Sequence, residues 1–231
     1  MKFENTEVWG FNHALRGMRN PMNSWDKSDS GYKIDHSSIP GVERFVIGKN
    51  DLELAQKLIK AGSEHRKFFR QIFVSVDITA PLYWWKEFDT YKVGTVSNSC
   101  STMHTLIKNP ITEDCFEMDD FEDILVIQSK ENETYFVMHG IWHNIIVYCE
   151  CLRKEYVETK DKMIWKELIR LLPESYLQKR TITMNYENIL SMVKQRRNHK
   201  LIEWSVAFIL WAKSLPYADK LIFIGEEDGK C

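Results

Sequence analysis

Apolar positions in the segment 51–61 recur at Leu52, Ala55, Leu58 and Ile59, the three-and-four spacing of one helical face. Asn50 reads as the N-cap of this helix and Gly62 as its end. Phe73 to Ile78 alternates imperfectly but is rich in β-forming residues, so it predicts a mostly buried strand. Pro81 then stands where the first turn of a helix, PLYWWKEFDTY, tolerates it. The next residues, VGTVSNSCSTMH, lose all periodicity and carry small hydroxyl and amide side chains. Such a loop suits a backbone that wraps closely around a ligand, and equally a plain surface turn.

Further on, the apolar runs DILVIQ and TYFVM flank the polar turn SKENE, which predicts a hairpin between Asp119 and Met138. From His139 the pattern is helical: one helix to about Tyr156, a second through MIWKELIRLL that Pro173 breaks, and a third from Tyr186 to about Lys213. The first forty residues carry turn chemistry at Asn20-Pro21, Ser28-Asp29-Ser30-Gly31 and Pro40-Gly41. They surround the cationic segment ALRGMRN, where Arg16 and Arg19 are spaced i,i+3, and read as an irregular lead-in to a single domain.

Composition narrows the function classes. A chain of 231 residues with 44% hydrophobic and 28% charged residues can bury a core without staples. The net charge of −2 supplies no global field for DNA or an anionic membrane, so an anionic ligand must meet local clusters of Lys and Arg, and no nucleic-acid polymer is expected. No apolar run long enough for a membrane span and no apolar leader occur, which predicts a cytoplasmic protein. Five cysteines without CxxC spacing read as free thiols. His139 and His143 share a helix face, but the glutamate of a metalloprotease motif is missing, so packing or capping is the better reading and no metal is expected.

Three constellations could carry chemistry. Glu167 and Arg170 lie i,i+3 on one helix, a pair that can hold a polar ligand, although spacing alone favours an exposed salt bridge. In KQRRNHK, Lys194, Arg196, Arg197, His199 and Lys200 crowd little more than one turn, and an anion would relieve their repulsion; a solvated basic face is the competing reading. In the polar loop, Lys92, Thr95, Ser97, Asn98, Ser99 and Ser101 offer hydroxyls and one point charge to a phosphate. Neither GxxxxGK[ST] nor GxGxxG is present, so a P-loop and a Rossmann dinucleotide site have no support.

In order and approximate spacing, four segments resemble the flavin-dependent thymidylate synthase family from about residue 48 to about residue 211. GKNDLELAQKLIKAG is similar to the family's early helix, and FVSVDITAPLYWWKEF to its strand and the helix opening with Ala-Pro. WKELIRLLP resembles the Glu-x-x-Arg segment ending in Leu-Pro, and NILSMVKQRRNHKLIEW the late helix whose Arg precedes a Trp by seven residues. The signature Arg-His-Arg is here Thr90-Tyr91-Lys92, followed by Thr95 and, after a one-residue insertion, Asn98-Ser99, Ser101 and Met103-His104. Only Lys92 of the first three keeps its charge, a later Arg has become Met103, and the His of a Phe-Glu-His segment is Gln71.

The resemblance implies an α+β fold: a single mixed domain over 1–231, with a small sheet packed by several helices and an irregular segment over 1–44. It implies reductive methylation of dUMP to dTMP, with FAD as cofactor and methylenetetrahydrofolate and NADPH as cosubstrates. Alternatives are flavin-dependent modification of another pyrimidine nucleotide, or a non-catalytic nucleotide-binding scaffold. By the same resemblance Glu167, Arg170 and Ser101 contact the nucleotide, Arg197 contacts the uracil ring and acts in catalysis, and Lys92, Thr95 and Asn98 serve the cofactor. Thiolate attack by Cys100 has only proximity to the loop in its favour. Family members are homotetramers with shared sites, so an oligomer, a tetramer by that pattern, is expected.

Overall fold

The structure, a computed structural model, describes residues 1–35, 42–119, 124–128 and 133–225. Its elements run β1 (Lys2–Trp9), α1 (Phe11–Arg19), β2 (Gly31–Asp35), β3 (Val42–Val46), α2 (Lys49–Ala61), β4 (Phe73–Pro81) and α3 (Leu82–Phe88). After these come β5 (Val96–Ser99), α4 (Thr102–Thr105), β6 (Ile124–Gln128), β7 (Glu133–Val137), α5 (Met138–Thr159), α6 (Lys162–Leu171) and β8 (Leu177–Asn185). The chain ends with α7 (Tyr186–Arg196), a π-helix over Glu203–Phe208, α8 (Ile209–Lys213) and α9 (Ala218–Leu221). This is the expected mixed α+β fold, with a small sheet in the order β1-β4-β8-β5 and two further hairpins, β2-β3 and β6-β7. Contacts gather into two compact units, neither contiguous in sequence: Met1–Lys2, Ile78–Thr90 and Asn98–Arg180, and Phe3–Asp77, Tyr91–Ser97 and Thr181–Cys231.

In the first unit, Leu106, Ile111, Phe116, Ile146, Cys149 and Leu168 form a buried cluster, with Trp142 and Trp165 packed against it. Burial pushes the Cys149 thiol up to about 11, so it behaves as a small apolar core residue. Glu150 on α5 accepts two hydrogen bonds from Arg153 (2.7 and 2.6 Å) and one from the Ile111 amide (2.8 Å), which ties the segment before α5 to the helix. Asp161 caps α6 by accepting from the Met163 amide, and the helix stops at Leu171 ahead of Pro173, as the pattern requires. The β6-β7 hairpin also forms as expected, antiparallel with Ile124 opposite Val137 and Gln128 opposite Glu133; its turn lies outside the described residues.

The second unit is organised around Asp51, which has no exposed surface. Its carboxylate accepts from Arg19 Nε (2.6 Å), from the hydroxyls of Ser28 and Ser30, and from the amides of Asp29 and Ser30. Asp29 in turn accepts from the amides of Asn50 and Asp51, so a loop residue far away in sequence caps α2. Asn50, expected as the cap, lies inside the first turn, and the N-cap position belongs to Gly48, where any Cβ would collide with Asp29. The buried face of α2 is Asp51, Ala55 and Ile59, whereas Leu52 and Leu58 are only half-buried.

Three expectations are corrected here. The N-terminal 1–44 segment is not irregular: it forms β1 and α1, and enters the β2-β3 hairpin. Phe11, Ala14, Leu15 and Met18 give α1 a buried stripe that its neighbouring turn dipeptides obscured, and β1 reads as polar because most of its residues are exposed. β8, unassigned from sequence, is polar in its first half and buried at Ile182, Met184 and Asn185 in its second. The long third helix is divided, since α7 ends at Arg196 and helical winding resumes only after Leu201, whose amide donates to His199 Nδ1 (3.2 Å).

Asp51 gives the testable consequence. Burial alone would raise its carboxyl, but the hydroxyls of Ser30 and Ser28 and the Arg19 guanidinium outweigh that and hold it below the usual carboxylate range. Its stabilising contribution is therefore complete above an unfolded value near pH 4 and is lost as pH falls through the lower folded value. Asp51→Ala should cost about 3 to 5 kcal/mol at neutral pH, because Arg19, 4% exposed, is left charged without its carboxylate. Urea unfolding at pH 7 and pH 3 checks this; the gap between variant and parent should narrow at the lower pH.

Candidate functional site

Glu167 and Arg170 project from α6 while Leu168 between them is fully buried, so core packing fixes which face carries the pair. Arg170 donates to Glu167, and the two side chains remain 55% and 49% exposed. As it stands the pair has the geometry of a surface salt bridge, and it still presents a guanidinium and a carboxylate to solvent.

The polar loop is more ordered than its composition suggests, since it contains β5 and the short α4. In the first unit Asn98 is exposed on β5, and Ser101 is half-buried at the start of α4, its carbonyl accepting from the His104 and Thr105 amides. Gln178 on β8 holds this turn: its side-chain amide donates to the Cys100 carbonyl (2.9 Å) and the Thr102 hydroxyl (3.2 Å). Gln178 is itself fixed by Arg180, whose Nε donates to Gln178 Oε1 (2.9 Å) and whose guanidinium lies 4.2 Å from the Trp85 ring centre. No sequence signal pointed to Gln178 or Arg180, because β8 itself was unrecognised.

In the second unit the start of the loop is tied along α7. Asn188, whose side chain completes the helix capping box with Asn185, also donates to the Val93 carbonyl (2.7 Å). Gly94, at φ +79°, lies so close to Asn185 and Asn188 that a side chain there would be both strained and crowded. Thr95 donates its hydroxyl to the Tyr91 carbonyl. Tyr91 donates to Gln195 (3.0 Å) and accepts from Arg196 Nε (2.8 Å), and the Arg196 guanidinium lies 4.9 Å from the Trp204 ring centre. Lys92 and Arg197 are exposed. The buried Trp204 thus faces Arg196, one position before the arginine that the family resemblance singled out.

Of the predicted site residues, the structure pairs Glu167 with Arg170; Asn98 and Ser101 belong to the same unit, and Lys92, Thr95 and Arg197 to the other. Arg19 is committed to Asp51, and Arg66 to Glu187 through two bonds of 2.7 and 2.8 Å. Arg16 and Arg70 are exposed. Among the described residues there is no cluster of three or more metal-ligating side chains, and the side chain of His139 lies outside them. No helix among the described residues is long and apolar enough to cross a membrane.

No family model and no curated protein sequence matches the chain. Two solved structures do resemble it in fold, both of the flavin-dependent thymidylate synthase ThyX from Helicobacter pylori with FAD and dUMP. Each has a TM-score of 0.64 and 15% sequence identity, over 97% of this chain and 98% of that one. The fold of the chain is therefore that of these enzymes. Residues 90–105 chemically fit a phosphate-bearing flavin: they include no carboxylate, they expose Lys92, Ser97, Asn98 and Ser99, and Val93, Val96 and Met103 add exposed apolar surface.

The Gln178 contacts predict a local effect. Gln178→Ala should speed amide hydrogen exchange in the peptide covering residues 100–102 while the rest of the protein exchanges as before, read by mass spectrometry. Unchanged exchange would mean that the Cys100 amide bond to the Lys179 carbonyl holds the turn alone.

Proposed function

We propose that the chain binds dUMP and a flavin and methylates the nucleotide reductively to dTMP, with methylenetetrahydrofolate as carbon donor and NADPH as reductant. The supporting observation is fold likeness along 97% of the chain to enzymes solved with FAD and dUMP. Glu167, Arg170, Ser101 and Arg197, which match nucleotide-contacting positions of that family, are all at least partly exposed here. Glu167 and Arg170 hold the nucleotide through charge-assisted hydrogen bonds, with Ser101 beside it. C5 of uracil is a poor nucleophile, and it is strengthened when N3 gives up its proton to solvent, which spreads negative charge over the ring oxygens before C5 attacks. Arg197 at that edge stabilises the developing charge, help that can supply roughly 3 to 4 kcal/mol in a dry site. A bound flavin supplies the reducing electrons, and Lys92, Thr95 and Asn98 are the residues that would hold its phosphate side. Oligomerisation belongs to the same reading: Ile202, Val206 and Leu210, spaced by four along the π-helix and α8, expose 47%, 50% and 62% of their surface, as an interface would require.

A second reading has its own observation. Thr90 donates its hydroxyl to the Glu87 carbonyl, and Tyr91 is hydrogen-bonded to α7, so two positions charged in the family serve internal structure here. That favours a nucleotide-binding protein which kept the fold without the flavin chemistry.

Calorimetric titration of dUMP tests the first step. Arg170→Ala and Arg197→Ala should each weaken binding by about tenfold or more, the loss of one hydrogen bond to a charged group. Glu167→Gln should weaken it with the melting temperature unchanged, since Gln is a comparable helix former. Equal affinity in all three variants would remove these residues from any site. The flavin tests the second step: with one cation where the family has three, FAD should bind but be lost on gel filtration. FAD that survives extensive dialysis would mean that other residues supply the missing charge, and no uptake at all beside retained dUMP binding would favour the second reading.

A further inference from the structure

Two cysteines stand end to end along one edge of β8. The antiparallel bridge between Phe116 and Tyr176 sets Cys115 opposite Leu177, and the Glu117 amide donates to the Ser175 carbonyl (2.8 Å). Two residues beyond Leu177, the Lys179 carbonyl accepts from the Cys100 amide (2.9 Å). Successive strand carbonyls point to alternate edges, and that of Gln178, between the two, turns the other way to accept from Trp85 Nε1. Leu177 and Lys179 therefore share an edge, and Cys100 and Cys115 opposite them are separated by two residues of strand rise, about 6.6 Å. Residues 101–114, which include Ser101 and α4, leave the edge of β8 at one cysteine and return to it at the other.

Both are free thiols, Cys100 exposed and Cys115 half-buried. The Cys115 sulfur makes long contacts to the Pro110 carbonyl (3.8 Å) and the Thr112 hydroxyl (3.9 Å), and a thiol is a weak hydrogen-bonding group, so turning it about χ1 costs little. Burial first, and then Cys115 and Cys100, raise the Tyr176 phenol above its ordinary value, so both sulfurs act on one hydroxyl. Disulfides span Cα separations up to about 6.8 Å, which the spacing along β8 meets without rebuilding the sheet.

The cysteines of α5 are set apart from such chemistry. Cys149 is fully buried, and burial pushes its thiol up to about 11, which withholds the thiolate that exchange requires. Cys151 follows it at i+2, a spacing at which helix side chains do not face each other.

We propose that Cys100 and Cys115 form a reversible disulfide, a redox modification site that locks residues 101–114 to the edge of β8. The exposed Cys100 thiolate attacks a low-molecular-weight disulfide such as oxidised glutathione, forms a mixed disulfide and releases one glutathione thiolate. The Cys115 thiolate then attacks the Cys100 sulfur and releases the second. Two protein thiols are oxidised, one small disulfide is reduced, and the two protons lost by the cysteines end on the two glutathione thiolates. Excess reduced glutathione runs the exchange backwards. The inference does not depend on the nucleotide reading.

The test equilibrates the protein with a series of oxidised-to-reduced glutathione ratios, blocks the remaining thiols with iodoacetamide and maps disulfides in the non-reduced digest by mass spectrometry. The expected result is a Cys100–Cys115 cross-link that grows with the oxidised share and is lost on adding dithiothreitol. Cys115→Ser should leave Cys100 joined to glutathione instead, and Cys151→Ser should leave the cross-link as in the parent. In the cross-linked protein, amide hydrogen exchange across residues 101–114 should slow by about threefold or more. Cys100 and Cys115 unlinked at the most oxidising ratio, either one joined instead to Cys149, Cys151 or Cys231, or a cross-link that leaves exchange in 101–114 unchanged would overturn the proposal.

Discussion

A carboxylate shut away from water must find its hydrogen-bond donors inside the protein, and Asp51 draws them from two otherwise separate places, the end of α1 and the loop at residues 28–30. That demand gives the turn-rich N-terminal sequence a defined path. Arg19 brings the end of α1 to the start of α2, and α1 carries Phe11, which packs edge-on against Tyr186. Tyr186 opens α7, so the network around one buried charge extends through aromatic contacts to the helix that ends at Arg196.

Along α7 the cations divide by role. Arg196 is held between the Tyr91 hydroxyl and the Trp204 ring and fixes the start of the polar loop, whereas Arg197 stays exposed one residue later. Arg19 and Arg66 are likewise bound to buried or half-buried carboxylates. Substituting the anchored arginines should chiefly alter stability.

Much of the fold was legible in the sequence, for identifiable reasons. The early helix, the buried strand before Pro81, the β6-β7 hairpin and α6 all show strong local periodicity or turn chemistry, and all form. β1 and β8 were illegible because their polar residues conceal the alternation, and the cap of α2 because Asp29 reaches it across 21 residues. The candidate side chains were legible as residue types, and Glu167 with Arg170 as a pair. The anchors of the loop, Gln178, Asn188 and Arg196, were not, since each acts through a contact made only on folding. Arg197 was singled out only through the family resemblance, and that Arg196 is the arginine held against Trp204 could not be read from spacing.

The central claim is that this fold still performs chemistry on a pyrimidine nucleotide. The most direct measurement supplies the protein with dUMP, methylenetetrahydrofolate, FAD and NADPH in the absence of oxygen and follows the nucleotides by chromatography. The account predicts dTMP from the parent chain and at least about tenfold less from Arg197→Ala, the scale of one lost transition-state contact. No dTMP from a protein that demonstrably holds both dUMP and FAD would contradict it.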